Sequence, residues 1–348
     1  MSEVTPCRIG SPLSGEQVAG LVGGTLEGQA AGPFLHVRDL AGAGPEDVVF
    51  FRSGPNDAGR PPSVAEQTAF AQTQAGLLLL DAHTEAQGRA CVRVKNPALA
   101  AALLAQHFET AAQPYPVGIH ATAVVEEGAV IDLAASIGPG CVVRSGANVG
   151  AEVCLVAKVY VGEDCQIGQG TVLHPGVYLG PRVQVGQRCV VQANTSIGAA
   201  GFGFVWSGTE HVHMPQVGGV VLGNRVEVGA NSCIDAGTFR PTVVGDNCLL
   251  DNHVQVGHNC KLGRFVILCG KVGISGSVTI GDGAIFAGSA GAAGHVSVGA
   301  GARIGAKAAV TSDVPAGATY AGNPAVDFGL HQRMQVHLRR LARHKERG

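Results

Sequence analysis

Aromatic side chains are scarce in this sequence, 5% of 348 residues with a single Trp. Charged residues make up only 14% and nearly cancel, leaving a formal net charge of −2. That balance excludes a chain-wide pull on nucleic acid, and no nucleic-acid partner is expected. The ten Cys form no CxxC pair, and the polar stretch Met1 to Gly15 lacks the apolar segment of a signal peptide. Both features read as a reduced, cytoplasmic chain. The longest plain aliphatic run is Leu77 to Leu80, far short of the ~20 residues that cross a bilayer. No integral membrane segment is expected. Pro is limited to 17 residues and Gly keeps no strict period of three, which excludes collagen. Wholesale disorder is excluded as well, because 46% of the chain is hydrophobic.

What the sequence has in excess is Gly, 52 residues, and a period of six. Stepping from Ile119 gives Val125, Ile131, Ile137, Val143, Val149, Leu155, Val161, Ile167, Leu173, Leu179, Val185, Val191 and Ile197, all aliphatic. The phase resumes at Leu222, Val228 and Ile234, slips by four residues at Arg240 to Val243, and runs from Val244 to Val310. Four residues after each anchor sits a small side chain, as at Ala123, Ala129, Ala135, Cys141 and Ala147. Neither the helical period of 3.6 nor the strand period of 2 gives this pattern. Flat six-residue faces do, three of them closing one triangular coil. Large anchors stack inward and small ones fit beside the corners. Cys141, Cys165, Cys189, Cys248 and Cys260 occupy the small slot and are expected to pack as small apolar residues. Roughly ten coils at ~4.8 Å would give a prism about 45 Å long.

This repeat resembles the hexapeptide-repeat acyltransferases. The resemblance implies a mainly β fold, a left-handed parallel β-helix, and assembly as a homotrimer. The left hand comes from the resemblance, since the general crossover rule favours the right.

Three domains are expected: an α/β domain over 1–113, the β-helix over 114–325, and a basic C-terminal helix over 326–348. In the first, Gly15 to Val22 reads as a helix, and Asp47 to Phe51 and Gly76 to Leu80 as strands. Pro97 to Ala112 reads as a helix capped by Asn96. Pro114, Pro116 and Gly118 mark the linker. Residues 199–218 (AAGFGFVWSGTEHVHMPQVG) interrupt the hexads and read as a loop pushed out of the prism. In the tail, Leu330, Met334, Leu338 and Leu341 recur at helical spacing, and six Lys/Arg against Asp327 and Glu346 give +4. Such a helix either packs on its own copies or docks an acidic partner.

Polar residues that break the plain repeat are the candidates for chemistry. The densest group is Asp251-Asn252-His253-Val254-Gln255-Val256-Gly257-His258-Asn259. A His suits proton removal near neutrality. Gly276 lies three hexads after His258, at the same corner one coil on, where its N–H would reach the same cleft. His295 lies six hexads and one further position after His258, about two coils and near 10 Å along the axis.

The strings GAAGFGF (Gly198 to Phe204), MPQVG (Met214 to Gly218), CIDAGT (Cys233 to Thr238), LDNHVQVGHN (Leu250 to Asn259), ISGS (Ile274 to Ser277) and AAGH (Ala292 to His295) follow one another in order. Together they resemble the UDP-3-O-acylglucosamine N-acyltransferase family of lipid A biosynthesis. DVVFF and Lys95-Asn96-Pro97 are similar to that family's uridine-binding domain. The resemblance implies transfer of a 3-hydroxyacyl chain from the phosphopantetheine of acyl carrier protein to the 2-amino group of a UDP-linked, 3-O-acylated glucosamine. It implies His258 as general base and the Gly276 N–H as oxyanion donor. His295 would position substrate, Asp251, Asn252 and Gln255 would orient His258 or the sugar, Phe50 would stack on uracil, and Phe202 and Phe204 would border lipid or sugar. No metal and no further cofactor is expected, because a thioester is already activated. The Arg of the family's IDRG motif is Ala236 here.

Other classes stay open on the residues alone. His253, His258 and His295 echo the three ligands of a zinc carbonic-anhydrase-like trimer. A sugar-nucleotide N-acetyltransferase using acetyl-CoA would share the same base and N–H donor. A scaffold that kept its core and lost its pocket is a fourth reading.

Overall fold

A computed structural model describes residues 11–55, 60–108 and 116–345. The chain divides into two compact units, 1–112 and 113–348.

The first unit is α/β. Helix α1 (Gly15–Val22) starts at a capping box in which Ser14 and Gln17 satisfy each other's backbone N–H groups. Strands β1 (Thr25–Glu27), β2 (His36–Val37), β3 (Asp47–Phe51), β4 (Leu77–Leu80) and β5 (Cys91–Arg93) form one sheet in the order β1-β5-β4-β3-β2. Only β1 pairs antiparallel. All four leucines of β4 are fully buried, as a central parallel strand covered on both faces requires. Helix α3 (Pro97–Phe108) is capped by Asn96, whose side chain accepts the Leu99 N–H at 3.2 Å. The predicted continuation to Ala112 and the linker residue Pro114 lie outside the described residues. Helix α2 (Val64–Gln72) was not expected from the sequence; its signature is the Ser63/Glu66 capping box.

The second unit is the parallel β-helix expected from the hexads, with the left hand that the resemblance implied, and is about 11 turns long. Each face is a parallel sheet, apart from the antiparallel last strand Val326–Asp327 of the first face, and most neighbouring strands are three hexads apart in the chain, as in Val142↔Tyr160 and Val143↔Val161. The first face has 12 strands beginning at Gly118–Ile119, the second 10 beginning at Val124–Val125, and the third 9 beginning at Val130–Ile131. In nearly every two-residue strand the second side chain points into one continuous aliphatic core. The four-residue slip is real: Leu222 pairs with Val244 rather than with Arg240, three hexads on, so one coil carries the extra residues. The insert leaves the prism after Ala200 and folds as a hairpin, Phe204–Trp206 against His211–His213.

The small slot does more than fill space. The thiols of Cys165, Cys248 and Cys260 donate to Gly180, Gly263 and Ser275 carbonyls at 3.0–3.1 Å. Thr171 and Thr195 hydroxyls do the same at 2.8 Å. Each side chain thus satisfies a corner carbonyl of the next coil. Burial pushes these three thiols up to about 11, so they stay protonated and inert. The tail forms an 18-residue helix, Phe328–Lys345, with Leu330, Met334, Leu338 and Leu341 exposed. No helix among the described residues is long and apolar enough to cross a membrane.

Candidate active site

Corners of a β-helix leave backbone N–H groups outside the strand ladders, and several corners here cap them with a side chain from the neighbouring coil. The Arg264 N–H is held by Asp282 at 2.9 Å, Asn224 by Asp246 at 2.7 Å, and Ala230 by Asn252 at 2.7 Å. At the corner between the second and third faces, the residue that would cap Gly276 is Gly294, which has no side chain. Among the described residues the Gly276 N–H has no hydrogen-bond partner. Gly257 keeps it uncovered, since a Cβ there would lie 2.7 Å from the Gly276 nitrogen.

His258 sits at that corner, half-exposed, directly over Gly276. A Cβ on Gly276 would be 2.7 Å from both Cε1 and Nε2 of the imidazole. The ring edge and the open N–H therefore share one small space. Gly201, at the start of the insert, closes the opposite side: a Cβ there would meet His258 Cβ at 2.9 Å and Asp235 Cβ at 3.3 Å. Nδ1 of His258 is 2.9 Å from Asn259 Nδ2.

Asp235 was missed as a candidate. It follows Ile234, which pairs with Val256, so it lies beside Gly257 and next to His258. Burial pushes its carboxyl up; a hydrogen bond from Gln255 and the neighbouring His258 pull it partly back. The available signal was an acid inside an otherwise plain hexad, in the CIDAGT string.

The other expected residues distribute unevenly. His295 is exposed and has a left-handed backbone, as do Asn259 and Ser277, so it stacks two coils on from Asn259 rather than from His258. Its N–H binds the Gly276 carbonyl at 3.2 Å. Gln255 projects from the second face toward Asp235. Asp251 and Asn252, expected with Gln255 to orient His258 or the sugar, lie with His253 at the preceding corner, between the first and second faces, one face away from His258 within a single chain. Two of them have backbone duties: Asp251 accepts the Asn252 N–H at 2.7 Å, and Asn252 caps Ala230. A shallow groove of about 320 Å³ runs past Asp251, bordered by Val190, Glu227, Leu249, Ile267 and Cys269. Separate corners for His253 and His258 also break the histidine trio of the zinc reading within one chain.

Phe202 and Phe204 stand exposed on the insert, 5.2 Å apart and edge to face. Phe50 lies in the first unit, 44% exposed, in a cavity of about 390 Å³ lined also by Arg38, Arg52, Arg60 and Pro97.

Residues 164–199 match the bacterial transferase hexapeptide (six repeats) family model. A UDP-3-O-acylglucosamine N-acyltransferase of Cupriavidus pinatubonensis is 46% identical over 210 residues, covering 59% of this chain and 58% of that protein. One from Dechloromonas aromatica is 39% identical over 263 residues, covering 75% of this chain and 72% of that protein. The chain spans 58–65% of the length of the first three curated relatives it matches. Among solved structures, the Arabidopsis UDP-N-acetylglucosamine acyltransferase matches with a TM-score of 0.52 at 25% identity, covering 59% of this chain and 71% of that one.

Proposed function

The chain belongs to the UDP-3-O-acylglucosamine N-acyltransferase family, and from that premise we propose that it transfers a 3-hydroxyacyl chain from acyl carrier protein to the 2-amino group of a UDP-linked 3-O-acylglucosamine, in lipid A biosynthesis. The observation that carries this reading is the imidazole of His258 seated over the unpartnered N–H of Gly276.

The amine nitrogen attacks the thioester carbon, and the C–N bond forms as negative charge moves to the carbonyl oxygen. The Gly276 N–H receives that charge; one well-aimed donor is worth ~3 kcal/mol of barrier. His258 takes the proton from nitrogen. The C–S bond then breaks, and the phosphopantetheine sulfur leaves with a proton. The acyl donor rides on its carrier, and the reaction calls on no metal or further cofactor.

Three copies would complete the pocket. The first face presents Val172, Val190, Leu249, Ile267 and Ile285 outward, an apolar strip suited to burial against another copy. A homotrimer built on that face would bring the Asp251 corner of one copy to the His258 corner of the next. Phe50 would stack on uracil, Phe202 and Phe204 border the acyl chain or sugar, and His295 hold substrate beyond Gly276. The basic tail helix offers a cationic surface to an acidic carrier. A carrier-bound donor and a nucleotide sugar place the work in the cytoplasm.

The test is one acceptor, UDP-3-O-acylglucosamine, offered with 3-hydroxyacyl carrier protein and separately with acetyl-CoA. Amide formation with the carrier-bound donor, followed by mass spectrometry, is expected. Preference for acetyl-CoA would replace this reading with a sugar-nucleotide N-acetyltransferase.

A further inference from the structure

The side chains behind His258 form a hydrogen-bond chain whose direction is forced. Gln216, on the insert, lies 2.8 Å from the Met214 carbonyl through Nε2. A carbonyl only accepts, so the amide presents Oε1 to Thr238. The Thr238 hydroxyl donates to that oxygen at 2.9 Å, which leaves Oγ1 to accept from Asn259 Nδ2 at 3.1 Å. The other end is fixed too, because the Thr238 backbone N–H donates to Asn259 Oδ1 at 2.8 Å. Two backbone groups that cannot exchange roles therefore orient both amides. The remaining Nδ2 hydrogen of Asn259 points at His258 Nδ1, 2.9 Å away.

An amide NH₂ only donates, so Nδ1 must carry the lone pair, and a neutral His258 carries its proton on Nε2. Nε2 is the nitrogen over Gly276. In the free protein the ring thus shows the cleft an N–H and no lone pair. Placing a proton on Nδ1 instead would set two donors face to face.

We propose that Asn259 is a positioning residue that locks His258 in the Nε2–H tautomer, and that this lock suppresses hydrolysis of a bound acyl thioester until the acceptor arrives. The proposal rests on the acyl-transfer reading above. To accept a proton at Nε2, the ring must give its Nε2 proton to solvent, gain one at Nδ1, and lose the Asn259 bond. While the lock holds, a water beside the thioester cannot pass its proton to Nε2, so acid and thiol do not form by this route. The chain ends on the insert, beside Phe202 and Phe204, whose exposed rings a ligand would cover. Ligand on the insert and the state of the ring are joined through Gln216.

Asn259→Asp reverses the polarity at nearly constant shape. One carboxylate oxygen keeps the Thr238 N–H, and the other accepts from Nδ1–H, freeing the Nε2 lone pair. Nitrogen-15 spectra of the histidine-labelled full chain read the tautomer, with His258→Gln used to assign the signal. The expected results are Nε2–H in the wild type and Nδ1–H in Asn259→Asp. With 3-hydroxyacyl carrier protein and no acceptor, the variant is expected to release free acid at least tenfold faster than wild type. A wild-type ring protonated at Nδ1 would overturn the lock, and that spectrum does not depend on whether the variant folds. A variant with the swapped tautomer and an unchanged hydrolysis rate would overturn its protective role. Nε2–H in a wild-type protein that transfers no acyl group to any acceptor would instead sink the transferase reading and leave the ring assignment standing.

Discussion

Replacing Gly276 by Ala tests the geometry of the site with one methyl group. The new Cβ would stand 2.7 Å from Cε1 and Nε2 of His258, where ordinary contact begins at 3.4 Å. The imidazole must retreat by roughly 0.7 Å, against its Asn259 hydrogen bond, and it can, because Cε1 and Nε2 are the far end of a side chain. The backbone does not resist, since Gly276 is not among the positive-φ glycines. The fold should therefore be kept with little change in stability, the gain of up to about 1 kcal/mol from lower entropy of the unfolded chain being offset by displacement of the ring. Activity should not survive, because misplacement of a catalytic group by about 1 Å costs on the order of 10²-fold in rate. The assay is kcat for amide formation from 3-hydroxyacyl carrier protein, alongside thermal unfolding. A loss of about two decades in kcat with a nearly unchanged Tm is expected. A folded Gly276→Ala protein within threefold of wild-type kcat would refute the claim that ring and N–H share one reacting space.

His258→Ala should lose most turnover while circular dichroism and oligomeric state stay unchanged; wild-type kcat would remove His258 from the mechanism. Asp235→Asn should raise Tm at neutral pH. The native carboxyl is pushed above its ordinary value by burial, so its ionised form opposes folding at neutral pH. That opposition fades as pH falls through the raised value and is gone below the unfolded value, so the gain in Tm should vanish near pH 3; a gain independent of pH would contradict the burial argument. Alkylation of the native protein at pH 8 should leave Cys165, Cys248 and Cys260 unmodified, read by peptide mass spectrometry, because all three are fully buried and pushed up to about 11. Leu179→Ala should cost about 2–5 kcal/mol in denaturant unfolding, since this anchor is fully enclosed by neighbouring coils.

The sequence by itself determined the prism. A six-residue period has one economical geometry, and it placed Leu179, Val228 and Ile274 in the core, small side chains beside the corners, and Gly276 one coil from His258. The four-residue slip was readable because a fixed period makes any added residue visible. The same arithmetic placed His295 near the site but one residue off the column of His258, as its stacking over Ser277 and Asn259 bears out. Helix α2 was legible in its capping box but not in its apolar pattern, because it buries only Phe70.

The tertiary structure decided what a linear string cannot carry. Asp251 and His258 are seven residues apart, yet a whole face separates them, because six residues carry the chain from one corner of the triangle to the next. Asp235 and His258 are far apart in the chain and adjacent in space, because a parallel coil brings the next turn back to the same edge. The absent side chain at Gly294 mattered only once corners such as Arg264 and Ala230 were seen to cap their N–H groups from the following coil. The direction of the Gln216–Thr238–Asn259–His258 chain was likewise invisible in sequence. A hydrogen-bond polarity depends on which atoms face which, and here two backbone groups distant in the chain, the Met214 carbonyl and the Thr238 N–H, fix it from both ends.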